Sequence, residues 1–135
     1  MPVRENIIDA RFSGREVEFK VMGVNEPIRG LIDEVSRYEI GLRVKDKAYV
    51  IYRHAILTAK VEPTELHGFS AEQLNDTVIN SEFIGSEIEI HLIDGSVVSG
   101  TLIKISKYEI GVKSGDEGLV IPKSSISYVV IVKTQ

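Results

Sequence analysis

Two tyrosines stand at the same place in two copies of one heptapeptide. Ser36-Arg37-Tyr38-Glu39-Ile40-Gly41-Leu42 returns seventy positions later as Ser106-Lys107-Tyr108-Glu109-Ile110-Gly111-Val112. Both rings fall outside the apolar alternation of the neighbouring strands, and each follows a cation, Arg37 or Lys107. An aromatic ring held on a loop can stack on a nucleobase whatever its identity, a contact worth ~1–3 kcal/mol per base. The adjacent cation suits phosphate. The plainer reading is a tyrosine that packs a strand end beside a solvated charge; recurrence at one register argues for a working surface.

Other chemistries find little support. The three histidines, His54, His67 and His91, are scattered without metal-ligand spacing. No glycine-rich phosphate loop or nucleophile elbow is present. Glu16/Glu18 and Glu87/Glu89 alternate along strands as a surface stripe rather than an acid–base pair. The expectation is a non-enzymatic protein with no catalytic residues, metal or cofactor.

The elements that carry the tyrosines are short strands. Glu16–Val21 alternates polar and apolar, as a half-buried strand does. Strands are predicted over Ile28–Val35, Tyr38–Val44, Ala48–Tyr52 and Ala55–Val61, with Gly30 as a bend. The cycle then repeats: Glu87–Leu92 matches the first strand, Asp94-Gly95 signals a hairpin, Gly100 matches Gly30, Leu119–Ile121 is the fourth strand and Ser125–Val132 the fifth. The spacing of Ile7, Ile8 and Phe12 predicts a short helix over Val3–Phe12. Ser70 and Gln73, in capping-box spacing, predict a second from Ala71 to about Ile79 or Phe83. The organisation expected is a first unit over 1–62, a linker over 63–70 and a second unit over 71–135, mainly β with short N-terminal helices. Each unit would be a helix followed by five strongly bent antiparallel strands closed as a small barrel.

Units of about 65 residues bury thin cores and must lean on a partner. Of the 135 residues none is cysteine, so disulfides and thiolate metal sites are excluded. No apolar run reaches the ~18 residues of a membrane span, and a soluble, cytoplasmic protein without membrane contact is expected. Residues 1–65 carry eleven Lys/Arg and eleven Asp/Glu, residues 66–135 five and nine, so the net charge of −4 sits in the second unit while all seven arginines lie in the first. That balance argues against non-specific coating of nucleic acid but allows a local basic site.

This order of elements resembles the Sm-like (Lsm) family, and within it most closely the Hfq branch of bacterial RNA chaperones. Gly30–Ile40 and Gly100–Ile110 are similar to the first Sm motif, and Tyr52-Arg53-His54-Ala55-Ile56-Leu57-Thr58 is similar to the Hfq signature Tyr-Lys-His-Ala-Ile-Ser-Thr. The second unit has Pro122-Lys123-Ser124-Ser125-Ile126-Ser127 there, keeping the cation and losing the histidine. The resemblance implies two tandem Sm-like barrels per chain. It implies that the fourth strand of one unit pairs with the fifth of the next, so that three chains close a six-fold-like ring, with four chains in an eight-fold ring or stacked rings as the alternatives. It also implies that Tyr38 and Tyr108 stack bases of U-rich single-stranded RNA, with Arg37 and Lys107 beside them and Arg53, His54 and Lys123 at the pore. Lys20 and His91 stand where Hfq places the aromatic of its A-binding face, which argues against that second site. The competing readings are a scaffold that has kept its assembly and lost RNA affinity, and single-stranded DNA binding by the same surface.

Overall fold

A computed structural model of the chain describes residues 4–134. Ten strands are formed: β1 (Glu16–Val21), β2 (Ile28–Val35), β3 (Glu39–Val44), β4 (Lys47–Tyr52), β5 (Ile56–Lys60), β6 (Glu87–Leu92), β7 (Val97–Ile105), β8 (Glu109–Ser114), β9 (Glu117–Pro122) and β10 (Ile126–Lys133). They join in one antiparallel sheet of order β5-β1-β2-β3-β4-β10-β6-β7-β8-β9.

This corrects the expected architecture. There are not two tandem barrels of a helix and five strands each, but a single open ten-stranded sheet. The reason lies in β10. Ile126-Ser127-Tyr128-Val129-Val130-Ile131 is buried at every position, the pattern of a strand covered on both faces. It pairs with β6 along one edge and with β4 along the other, setting Tyr128 opposite Ile51 and Val130 opposite Tyr49. The cores are shared across that seam. Tyr128 and Val130 pack with Phe12, Phe19, Ile40 and Leu42, while Val50 and Tyr52 pack with Ile88, Ile110, Val129 and Ile131. Rings reinforce the seam: Tyr49 and Tyr128 stack at 5.4 Å between centroids, and His91 stacks on Tyr128 at 4.1 Å.

The repeat survives in the strand order. The run β5-β1-β2-β3-β4 matches β10-β6-β7-β8-β9. Where β4 meets β10, their repeat equivalents β9 and β5 are the sheet's two unpaired edges. Gly30 and Gly100 mark the same tight approach in β2 and β7. A Cβ at Gly30 would lie 2.7 Å from the Arg43 carbonyl oxygen, and one at Gly100 2.6 Å from that of Lys113.

Both expected helices are also corrected. Among the described residues the helical segments are single 3-10 turns. Of the predicted Val3–Phe12 helix, Val3 lies outside the described residues and only Ala10–Phe12 forms a turn, capped by the Asp9 carboxylate accepting from Arg11 N. Ile7 is exposed, Ile8 packs half-buried against the core and Phe12 is fully buried in it, so no continuous apolar stripe anchors a helix too short to stand alone. The segment from Ala71 forms neither helix nor strand before a turn at Ser81–Phe83. Ser70 Oγ accepts from Glu72 N, a local turn rather than a helix cap. The backbone groups of 75–79 are taken by the first unit, as described next.

Candidate nucleic-acid interface

The repeated heptapeptide makes the same turn twice. Ser36 N and Oγ both donate to the Glu39 carbonyl, at 2.9 and 2.6 Å, and Oγ accepts from Glu39 N at 2.9 Å. Ser106 repeats all three bonds with Glu109, at 2.9, 3.1 and 3.1 Å. These clasps push Tyr38 and Tyr108 outward, 55% and 70% exposed. The tyrosine carbonyls are tied to the basic position of the second motif: Arg53 N donates to Tyr38 O and Lys123 N to Tyr108 O. Each ring has its cation nearby, Arg37 at 5.4 Å and Lys107 at 5.3 Å from the centroid.

A cleft of about 870 Å³ opens at the seam between the two units. Of the seven residues singled out in the sequence, it gathers Tyr38, His54, Lys107, Tyr108 and Lys123 along its walls. Asn80, Ser106 and Ser124 add neutral polar groups, and Glu39, Asp76 and Glu109 add carboxylates. Among the described residues, Lys107 and Lys123 enter no ion pair. His54 crosses the seam, its Nε2 within 2.9 Å of the Ile126 carbonyl, a geometry that places the proton on Nε2.

Arg37 and Arg53 stand outside the cleft wall. Arg53 is a strut: its Nε and Nη2 donate to the Ser36 carbonyl and Nη2 also to the Ile8 carbonyl at 2.7 Å. Burial pulls its pKa below the usual arginine value, against the pull of Asp9. Arg37 pairs with Glu5 and Asp76, and its hydrogen bond to Glu5 raises its pKa further.

Sequence reasoning missed Glu39. It is 1% exposed, and one oxygen accepts from both Val78 N and Ile79 N at 2.9 Å. Asn75 and Asp76 return the contact, their carbonyls accepting from Arg37 N and Tyr38 N. Residues 75–79 therefore form a strap laid across the first turn, in place of the predicted helix. Burial raises the Glu39 pKa, partly offset by the two amides. The signal was present as Ser-x-x-Glu in both heptapeptides, but its partner lies about forty residues away.

The remaining candidates have structural roles. Glu16 pairs with Arg29 and Glu89 with His91, and His91 also stacks in the seam. Among the described residues, no three His, Cys, Asp or Glu side chains converge as a metal site, and no helix is long and apolar enough to cross a membrane. No protein-family model matches the sequence, and no curated protein is significantly similar to it.

Proposed function

We propose that the chain is an Sm-like, Hfq-like RNA-binding protein that acts without catalysis, in the cytoplasm, as an RNA chaperone or regulator. Three copies close a six-fold-like ring, and U-rich single-stranded RNA is held at the face where the repeated turns gather. The observation that carries this reading is that both repeat tyrosines, each exposed, rim one cleft together with His54, Lys107 and Lys123. Two rings supply stacking platforms and the lysines attract phosphate. The ring is supported by the open edges. Val50 on β4 is 2% exposed beneath β10, whereas its equivalent Val120 on β9 is 69% exposed, and an unpaired apolar edge calls for a strand to cover it.

A scaffold with little affinity for RNA is the second reading. It is favoured by the cleft's three carboxylates and by the engagement of Arg37 and Arg53 within the chain. Titration of labelled oligo-U, oligo-A and single-stranded DNA at two salt concentrations separates the two. Micromolar or tighter oligo-U binding, weakened by salt and lost in a Tyr38→Ala/Tyr108→Ala double variant, supports the proposal. Absence of binding to all three at low salt refutes it and leaves the scaffold; preference for DNA reassigns the ligand.

A further inference from the structure

We infer that the Ser106–Glu109 turn is a docking site for the N-terminal segment of a second copy of this chain, whose Ile7 and Ile8 amides the Glu109 carboxylate receives. The inference rests on the ring reading above and specifies how the copies are clamped.

The template lies inside the chain. At the intrachain seam the strap that precedes the second unit crosses the first unit's turn. It offers the Val78 and Ile79 amides to Glu39, takes the Arg37 and Tyr38 amides on the Asn75 and Asp76 carbonyls, and sets Asp76 against Arg37. The other turn differs only by Lys107 for Arg37 and has the same serine clasp, yet among the described residues no segment covers it. Glu109 is exposed, and among the described residues its carboxylate takes no hydrogen bond. The repeat offset carries Asn75–Ile79 onto Arg4-Glu5-Asn6-Ile7-Ile8. Glu5 and the Ile8 carbonyl are engaged within the chain by Arg37 and Arg53, but Ile7 is 64% exposed where Val78 is 7% exposed, and the Ile7 and Ile8 amides donate to no group among the described residues. Charge is complementary in the exchange: Asp76 meets Arg37, and Glu5, held by Arg37 within its own chain, would fall opposite Lys107 of the second copy.

The repeated glycine supplies an independent mark. A Cβ on Gly41 would meet Val78 Cγ1 at 3.3 Å, so the strap side chain packs directly on that backbone. At Gly111 the nearest atom to such a Cβ is Lys104 Cβ at 3.5 Å, with no strap above it. The second unit retains the bare backbone that the first uses to seat a β-branched side chain, and Ile7 of a second copy is the residue that the offset brings there.

The test uses the full chain. Light scattering across a concentration series reports assembly, and amide hydrogen exchange reports the Ile7 and Ile8 amides. A mass near three times the 15.0 kDa chain, with both amides protected and protection lost on dilution to single chains, supports the docking. Glu109→Ala, an exposed change checked for folding by circular dichroism, should raise the concentration of half-assembly at least about tenfold and expose both amides. Each tenfold corresponds to about 1.4 kcal/mol. Glu109→Gln, which keeps an acceptor, should fall between. A three-chain mass with freely exchanging Ile7 and Ile8 amides, or an unchanged midpoint in Glu109→Ala, overturns the docking and leaves the ring standing. A single-chain mass at every concentration overturns both.

Discussion

Removing the Glu39 carboxylate should cost far more than its place on a loop-proximal strand end suggests. In Glu39→Ala the Val78 and Ile79 amides, both at 2.9 Å from one oxygen and both in buried residues, lose their acceptor. A buried donor left unpaired costs about 1–3 kcal/mol, so two cost roughly 2–6 kcal/mol. Relief from burying an acid whose pKa burial has raised returns part of that, leaving a net loss of ~2–4 kcal/mol. For a chain of this size each kcal/mol moves Tm by about 4 °C, so a fall of about 8–16 °C is expected. Urea unfolding and calorimetry measure both quantities. The pH dependence has a definite sign. A folded-state pKa above 4.5 contributes stability that is fully present below the unfolded value and lost as pH rises through the folded one. The wild type should therefore lose stability relative to Glu39→Gln as pH climbs above 4.5. A Glu39→Ala chain within about 0.5 kcal/mol of wild type, the range of an ordinary surface change, would refute the strap's dependence on this carboxylate.

Tyr38→Ala and Tyr108→Ala should each weaken oligo-U binding by about 5- to 150-fold, the range of one lost stacking contact, with unfolding unchanged because both rings are exposed; filter binding and urea melts check the pair. Gly41→Ala, which presses on Val78 at 3.3 Å, should cost about 1–2 kcal/mol, while Gly111→Ala at low concentration should be near neutral. Gly30→Ala and Gly100→Ala place a Cβ under 3 Å from backbone oxygen and should lose most of the soluble folded yield. Asp9 is buried, which alone would raise its pKa, but the Ser70 amide and Arg11 outweigh burial and hold it below 3.8. Its stabilisation is present above 3.8 and lost as pH falls through the lowered value, so Asp9→Asn should flatten the acid limb of a pH–stability curve.

The strands were legible because their signal is local. Glu16–Val21 follows from alternation, Ile28–Val35 from an apolar run bounded by turn signals and Glu87–Leu92 from its match to the first strand, and all three have those bounds in the structure. The tyrosines were legible as exposed for the complementary reason, since they stand outside the alternation. The helices were misread because apolar residues three and four apart, Ile7/Ile8/Phe12 and Leu74/Val78, also suit a strap that dips one side chain at a time into a neighbour. What decides between them is the acceptor for the strap's amides, and Glu39 is about forty residues distant. Arg53 was grouped with the ligand cations because of its place in the second motif. Its partners, the Ser36 and Ile8 carbonyls, come from two other segments of the chain and leave no local trace.

The two fifth strands explain why one seam is internal and its equivalent is open. β10 presents Tyr128, Val129 and Val130 to its neighbours, and Tyr128 stacks between Tyr49 and His91. The matching residues of β5 are Thr58, Ala59 and Lys60, and those facing them in a ring would be Leu119 for Tyr49 and Lys20 for His91. A seam without that stack forgoes two ring contacts, each worth about 0.5–1.5 kcal/mol beyond the area it buries. In the proposed ring the seam between chains would thus be weaker than the intrachain one while keeping the same serine clasp, glycine and carboxylate. Six identical seams would have to be equally strong. In the proposed ring, three strong and three weak seams would let the assembly come apart into folded chains, with the cleft at the intrachain seam intact and lined by both tyrosines and His54.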